Sequence, residues 1–76
     1  MKRRSWIYVT TDPVNHSGFV AGYGARELIA AAGGRPLWSR SRRAWATSEA
    51  TAIDVLAAAE HQGYAVRYER LERDPG

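Results

Sequence analysis

The chain has 76 residues, a net charge of +3 and no cysteine. This length suits one small domain with a limited core, and the lack of cysteine excludes disulfides and thiolate metal ligands. The longest nearly apolar run, ELIAAAGG, is far shorter than the roughly 20 residues of a membrane span. The residues after the basic start are too polar for a signal peptide. We therefore expect a soluble, cytoplasmic protein with no membrane partner.

We expect a single domain over residues 1–76. Within it, residues 1–4 form a basic N-terminal arm, residues 5–71 the folded core and residues 72–76 a tail. No linker, repeat or low-complexity segment divides the core.

The first strand is predicted at residues 5–11, SWIYVTT, because β-branched and aromatic residues favour extended backbone. Alternation along the strand places Trp6, Tyr8 and Thr10 on one face. The Asp-Pro pair that follows ends the strand, since proline donates no ladder hydrogen bond. A loop rich in turn-forming residues comes next.

The first helix is predicted at residues 25–34, ARELIAAAGG, because apolar residues recur there at i, i+3, i+4 and i+7. Gly33 suits the left-handed position that ends a helix. Residues 19–24, FVAGYG, precede the helix and fit either a short strand or an extended lead-in.

A hairpin is predicted at residues 36–48, PLWSRSRRAWATS, with two short arms joined by a hairpin tip at residues 39–43. Thr47 or Ser48 then caps a second helix. The apolar stripe of that helix is predicted to consist of Ala52, Ile53, Leu56 and Ala57.

The last strand is predicted at residues 64–72, YAVRYERLE, from its alternating pattern. The predicted order is therefore β-α-β-β-α-β. It is typical of an α+β, two-layer domain in which two helices cover one face of a mainly antiparallel sheet. The other sheet face is expected to be partly open and to carry one of two aromatic pairs, Trp6 with Tyr8 or Tyr64 with Tyr68.

Positive charge is concentrated in two short segments. Of eleven lysines and arginines, seven lie in these segments, and the rest are outnumbered by the eight acidic residues. Such an uneven distribution of charge is typical of proteins that bind polyanions. The first segment contains Lys2, Arg3 and Arg4, and the second contains Arg35, Arg40, Arg42 and Arg43.

The second basic segment also contains two tryptophans. Arginine can meet two phosphate oxygens at once, and tryptophan offers a broad face for base stacking. We therefore predict a nucleic-acid-binding site made of Arg35, Trp38, Arg40, Arg42, Arg43 and Trp45, widened by Lys2, Arg3 and Arg4. The alternative is that the arginines maintain solubility and that both tryptophans pack in or near the core.

We expect no catalytic residue, no metal and no cofactor. His16 and His61 are the two histidines, and neither has a partner at zinc-ligand spacing. The segment GFVAGYG at residues 18–24 precedes a helix but matches neither of the glycine-rich phosphate-binding spacings. A small enzyme is a third hypothesis, and it requires His16 and Asp12 to converge in a pocket.

Residues 23–68 resemble the HARP-type (HepA-related protein) module and similar accessory modules of superfamily 2 helicases. The shared pattern is a helix, a glycine turn, a hairpin with an aromatic residue in each arm and a basic tip, and a capped second helix. The positions of this chain that match the pattern are Gly33, Gly34, Trp38, residues 40–43, Trp45, Ser48 and Leu56. The resemblance implies DNA binding, with a preference for branched or partly single-stranded forms. It assigns Arg40, Arg42 and Arg43 to the DNA backbone and a substantially structural role to both tryptophans.

The sequence therefore predicts a small, non-enzymatic module that binds nucleic acid through phosphates, with DNA favoured over RNA and little sequence specificity. Stand-alone modules of this size are frequent in phages and mobile elements. The alternative is a protein-interaction module, an adaptor or inhibitor, that docks through exposed aromatic residues. A homodimer formed by exposed edge strands belongs to the same alternative.

Overall fold

The computed structural model describes residues 5–71, so the expected basic arm with Lys2, Arg3 and Arg4, and the expected tail, lie outside the described residues. Over the described range the fold is α+β, as predicted. Its elements in chain order are β1 (Trp6–Asp12), β2 (Ser17–Ala21), α1 (Ala25–Ala31), β3 (Leu37–Ser39), β4 (Ala44–Ser48), α2 (Glu49–His61) and β5 (Ala65–Arg70).

The strands form one five-stranded sheet in the order β3-β4-β2-β1-β5. β1 pairs in parallel with β5, and the other three pairings are antiparallel. The sheet is therefore mainly antiparallel, as expected. Helix α1 connects β2 to β3 and α2 connects β4 to β5, and both pack on the same sheet face. In this part of the chain neither helix is long and apolar enough to cross a bilayer.

The predicted order β-α-β-β-α-β lacks β2, which lies in the middle of the sheet between β1 and β4. Gly18 and Gly22 weaken the strand pattern of this segment, since glycine has low β propensity. Gly18 is required by packing, because a Cβ there would collide with the Cβ of Ala52 on α2. The residue that obscures the strand in the sequence is thus the one that lets α2 lie across it.

The core lies between the helices and the sheet face that they cover. Its buried members are Ile7, Val9, Val20, Ala25, Leu28, Ile29, Ala52, Val55 and Ala59. Thr11 is buried with them, and its hydroxyl lies 2.9 Å from the hydroxyl of Tyr68. This hydrogen bond satisfies a polar group that would otherwise be costly to bury.

Both helix ends follow local sequence signals. Gly33 has a φ of +88° directly after the cap of α1, as predicted. Of the two predicted caps for α2, Ser48 is the one used, and its hydroxyl accepts a hydrogen bond from the Thr51 backbone N–H at 3.1 Å. A cap of this kind contributes about 1 kcal/mol to stability.

The predicted apolar stripe of α2 is only half right. Ala52 is buried and Leu56 packs against the core, but Ile53 and Ala57 are exposed. Val55 and Ala59 occupy the buried face instead. Alanine and other apolar residues lie on nearly every side of α2, so the sequence periodicity does not show which side is buried. The close approach of Ala52 to β2 fixes that side in the structure.

Candidate nucleic-acid interface

The sheet face not covered by helices, here called the open face, carries aromatic side chains. Trp6 and Tyr8 lie on it, because the alternate residues of β1 are buried in the core. Their rings stack, with centroids 6.0 Å apart and planes inclined by 20°. Phe19 shares this face, since it pairs with Thr10 and directly paired residues lie on the same side of a sheet.

Of the two aromatic pairs predicted for the open face, Trp6 with Tyr8 is therefore the one found there. Tyr64 and Tyr68 lie on the side of the helices. Tyr64 packs against the core, and Tyr68 reaches the buried hydroxyl of Thr11.

Local polar contacts connect residues of the hairpin tip. The Ser39 hydroxyl accepts a 3.4 Å hydrogen bond from the Arg42 backbone N–H and lies 3.5 Å from the Ser41 hydroxyl. Arg43 completes the turn with a φ of +50°. Arg40, Arg42 and Arg43 are all exposed, so the predicted phosphate-binding arginines are brought together at the end of the hairpin.

One tip arginine folds back onto the open face. The guanidinium carbon of Arg42 lies 4.7 Å from the ring centroid of Phe19, within the range of a cation–π interaction. This contact holds a permanent positive charge beside the aromatic side chains of the open face.

The two hairpin tryptophans lie on the opposite side of the sheet. Trp38 and Trp45 are paired in register, and their rings meet edge to face with centroids 5.1 Å apart. Trp45 is half-buried against the core, and the Arg26 guanidinium lies 5.8 Å from its ring centroid. Trp38 remains 53 % exposed. The structure thus separates both tryptophans from the face that Arg42 covers, and it gives Trp45 a packing role.

Charge is divided between the two layers of the molecule. The helices carry mainly carboxylates, namely Glu27, Glu49, Asp54 and Glu60 against Arg26. The segment containing the hairpin and the outward side of β5 carry mainly arginines, namely Arg35, Arg40, Arg42, Arg43 and Arg67 against Glu69. The resulting field favours a polyanion that approaches the sheet side.

Asp12 and His16 have structural partners. The Asp12 carboxylate accepts hydrogen bonds from the backbone N–H of Val14 at 3.1 Å and from the Asn15 side-chain amide at 2.8 Å, which hold the β1–β2 turn. The His16 side chain is 85 % exposed, and its Nδ1 lies 3.9 Å from a Glu49 carboxylate oxygen. Across residues 5–71, no three His, Cys, Asp or Glu side chains form a group that could hold a metal ion.

The glycine-rich segment before α1 forms a tight turn. Gly22 and Gly24 have φ values of +117° and +92°, which L-residues rarely adopt. An open groove of about 560 Å³ lies beside this turn and is bordered by Arg26, Trp45 and Tyr64. The glycines therefore serve the chain reversal into α1.

Sequence reasoning missed two residues of the open face. Phe19 was missed because β2 was not assigned. Arg67 pairs with Tyr8 across the parallel β1–β5 pairing and therefore lies on the open face. The alternation of the last strand already separated Arg67 from Tyr64 and Tyr68, so its position could have been inferred once β1 and β5 were known to be neighbours.

Comparisons of the chain with family models, with curated proteins and with solved structures return no significant match. The functional interpretation therefore depends on the geometry and charge of the site.

Proposed function

We propose that the protein is a small, non-enzymatic module that binds nucleic acid through phosphate contacts, with little sequence specificity and with DNA favoured over RNA. The observation that carries the proposal is the clustering of Arg40, Arg42 and Arg43 at an exposed hairpin tip, within residues 33–48, which include no acidic residue. Planar guanidinium groups bind phosphate oxygens in pairs, and each phosphate neutralised releases condensed counterions from the nucleic acid.

Two features support a binding role for the tip arginines over a role as dispersed solubilising charges. Arg42 is held over Phe19, and Arg43 occupies a left-handed backbone position where glycine would be less strained. Arg35 lies at the start of the hairpin and widens the basic surface. The resemblance to HARP-type modules supports the same assignment of Arg40, Arg42 and Arg43 to the DNA backbone.

The second candidate function, a protein-interaction module, is favoured by a separate observation. Trp6, Tyr8 and Leu37 are large apolar side chains exposed on the open face. Tryptophan and tyrosine are common hot-spot residues in protein interfaces. This function predicts a complex that is sensitive to Trp6 and Tyr8 and insensitive to the tip arginines, with either another protein or a second copy of the chain.

The proposed function is tested by fluorescence anisotropy with labelled single-stranded, duplex and forked DNA over a series of salt concentrations. The wild type is compared with an Arg40/Arg42/Arg43→Ala variant. Each phosphate contact contributes about 0.9 to the log–log salt slope for duplex DNA, so we expect the slope to fall by roughly 2.7 if all three contacts are lost.

The matched control is Arg40/Arg42/Arg43→Lys, which retains the charge and loses only the paired hydrogen bonds of arginine. It should keep most of the salt slope. Circular dichroism establishes that each variant is folded. Equal binding by the wild type and the alanine variant, or no binding by the wild type near physiological salt, contradicts the proposed function.

A further inference from the structure

The open face carries two neighbouring exposed aromatic rings, here called the platform. Trp6 and Tyr8 stand side by side on β1, 51 % and 46 % exposed. Each ring has an alanine beside it on one neighbouring strand, since Ala65 on β5 pairs with Trp6 and Ala21 on β2 pairs with Tyr8. Because an alanine side chain is a single methyl group, it leaves the ring beside it uncovered on that side. About half of each aromatic side chain is therefore available to a ligand.

Positive charge borders this platform on both sides. On the β5 side, Arg67 pairs with Tyr8 and is exposed. On the β2 side, Arg42 is held over Phe19 by its 4.7 Å contact. A ligand with flat apolar groups and an anionic backbone matches this arrangement, because a guanidinium group lies on each side of the aromatic rings. Glu69 lies two residues after Arg67 on the same side of β5 and is an acidic residue near the platform.

Only unpaired bases offer their flat faces to such a surface. In a duplex each base is stacked between its neighbours and presents only its edges in the grooves. In a single strand the bases can separate and stack on aromatic side chains, as they do on the exposed sheets and grooves of several single-strand-binding folds. The platform therefore discriminates between the two forms by geometry.

We propose that the open face binds single-stranded nucleic acid, with bases stacked on Trp6 and Tyr8 and adjacent phosphates bound by Arg42 and Arg67. The proposal rests on the function proposed above and adds the substrate class and the residues that select it. Trp38 and Trp45 take no part in the stacking, because they lie on the other side of the sheet.

The test compares two variants with the same chemical change on opposite faces. Trp6→Leu removes a ring from the platform, whereas Trp38→Leu removes one of nearly equal exposure, 53 % against 51 %, from the other side. The probe is a labelled oligothymidylate of about 12 nucleotides, within the site sizes of single-strand binders. The same strand annealed to oligoadenylate serves as the duplex probe.

We expect Trp6→Leu to weaken binding of the single strand by about 5- to 150-fold, the range for the loss of one stacked base. Binding of the duplex should not change, and Trp38→Leu should bind both probes like the wild type. Tyr8→Leu should repeat the effect of Trp6→Leu, and Trp6→Phe should restore most of the affinity because it retains a ring. Oligothymidylate should quench tryptophan fluorescence in Trp38→Leu and much less in Trp6→Leu.

The outcomes distinguish failure of the single-strand proposal from failure of the proposed function. If a folded Trp6→Leu binds oligothymidylate like the wild type while the tip arginine variant binds weakly, the platform is wrong and phosphate binding stands. If the wild type binds neither probe, both proposals fail. A dimer in sedimentation that is abolished by Trp6→Leu, without selective binding of the single strand, would assign the open face to a second copy and overturn the platform.

Discussion

Arg43 shows how a single residue can combine backbone strain with charge. Its φ of +50° lies in the left-handed region, which costs an L-residue roughly 1 to 2 kcal/mol and which glycine adopts freely. The hairpin tip therefore has an arginine where glycine would fold at least as well. Residues with such strained backbone cluster at functional sites.

Replacing Arg43 should separate stability from binding. In Arg43→Gly the backbone strain is relieved, but the unfolded chain gains entropy, so the free energy of unfolding should be unchanged or up to about 1 kcal/mol higher. Affinity for DNA should nevertheless fall, because one phosphate contact is lost. Urea denaturation and anisotropy measure the two quantities.

Arg43→Ala is the matched control, since it removes the same charge and keeps the left-handed strain. It should bind DNA as weakly as Arg43→Gly and be less stable than that variant. If Arg43→Gly binds DNA as tightly as the wild type, Arg43 is not a phosphate ligand.

At the scale of elements, the contact between β2 and α2 organises the sheet. Gly18 on β2 meets Ala52 on α2 so closely that a Cβ at Gly18 would overlap the Ala52 side chain. The backbone of the preceding loop is tied to the same helix, because the Glu49 backbone N–H donates a 3.1 Å hydrogen bond to the His16 carbonyl oxygen. This contact limits how α2 can be rotated against β2.

Gly18→Ala should therefore destabilise the fold by about 1 to 3 kcal/mol, the usual cost of overpacking a core. Urea denaturation followed by circular dichroism measures the change. The control is the double variant Gly18→Ala/Ala52→Gly, which restores space at the contact. It should be less destabilised than the sum of the two single changes, with a coupling of at least about 0.5 kcal/mol. Strictly additive effects would show that the strand and the helix do not meet in this way.

At the scale of the whole molecule, the two layers have opposite electrostatic character. The two helices together carry four carboxylates and one arginine, whereas the hairpin segment and the outward side of β5 together carry five arginines and one carboxylate. Because exposed charges are screened over about 8 Å at physiological salt, the location of an arginine matters more than its contribution to net charge. A polyanion should therefore respond to charges on the sheet side alone.

Two single substitutions with the same change in net charge test this polarity. Arg67→Gln, on the open face, should reduce the log–log salt slope for single-stranded DNA by about 0.7. Arg26→Gln, on α1 over Trp45, should leave the slope unchanged. Anisotropy titrations at several salt concentrations measure both. Equal reductions in the two variants would indicate that binding depends on net charge and not on a defined face.

Several features could be predicted from the sequence because they depend on residues close together in the chain. The alternation of β1 placed Trp6 and Tyr8 together on one face, and Gly33 and the pair Thr47 and Ser48 marked helix ends through local hydrogen bonding and backbone conformation. The arms of the hairpin and the cluster of arginines at its tip followed in the same way.

Other features depended on contacts between distant segments, and only the tertiary structure decided them. The sequence left β2 undecided between a strand and an extended lead-in, because Gly18, which packs against α2, weakens the strand pattern. The rotation of α2 was undecided because nearly every side of that helix is apolar. The meeting of Arg42 with Phe19 and of Arg67 with Tyr8 likewise depended on which strands lie side by side. Local patterns determine most of the elements, but the packing of helices and the pairing of strands determine which side chains share a surface, because they join residues that lie far apart in the chain.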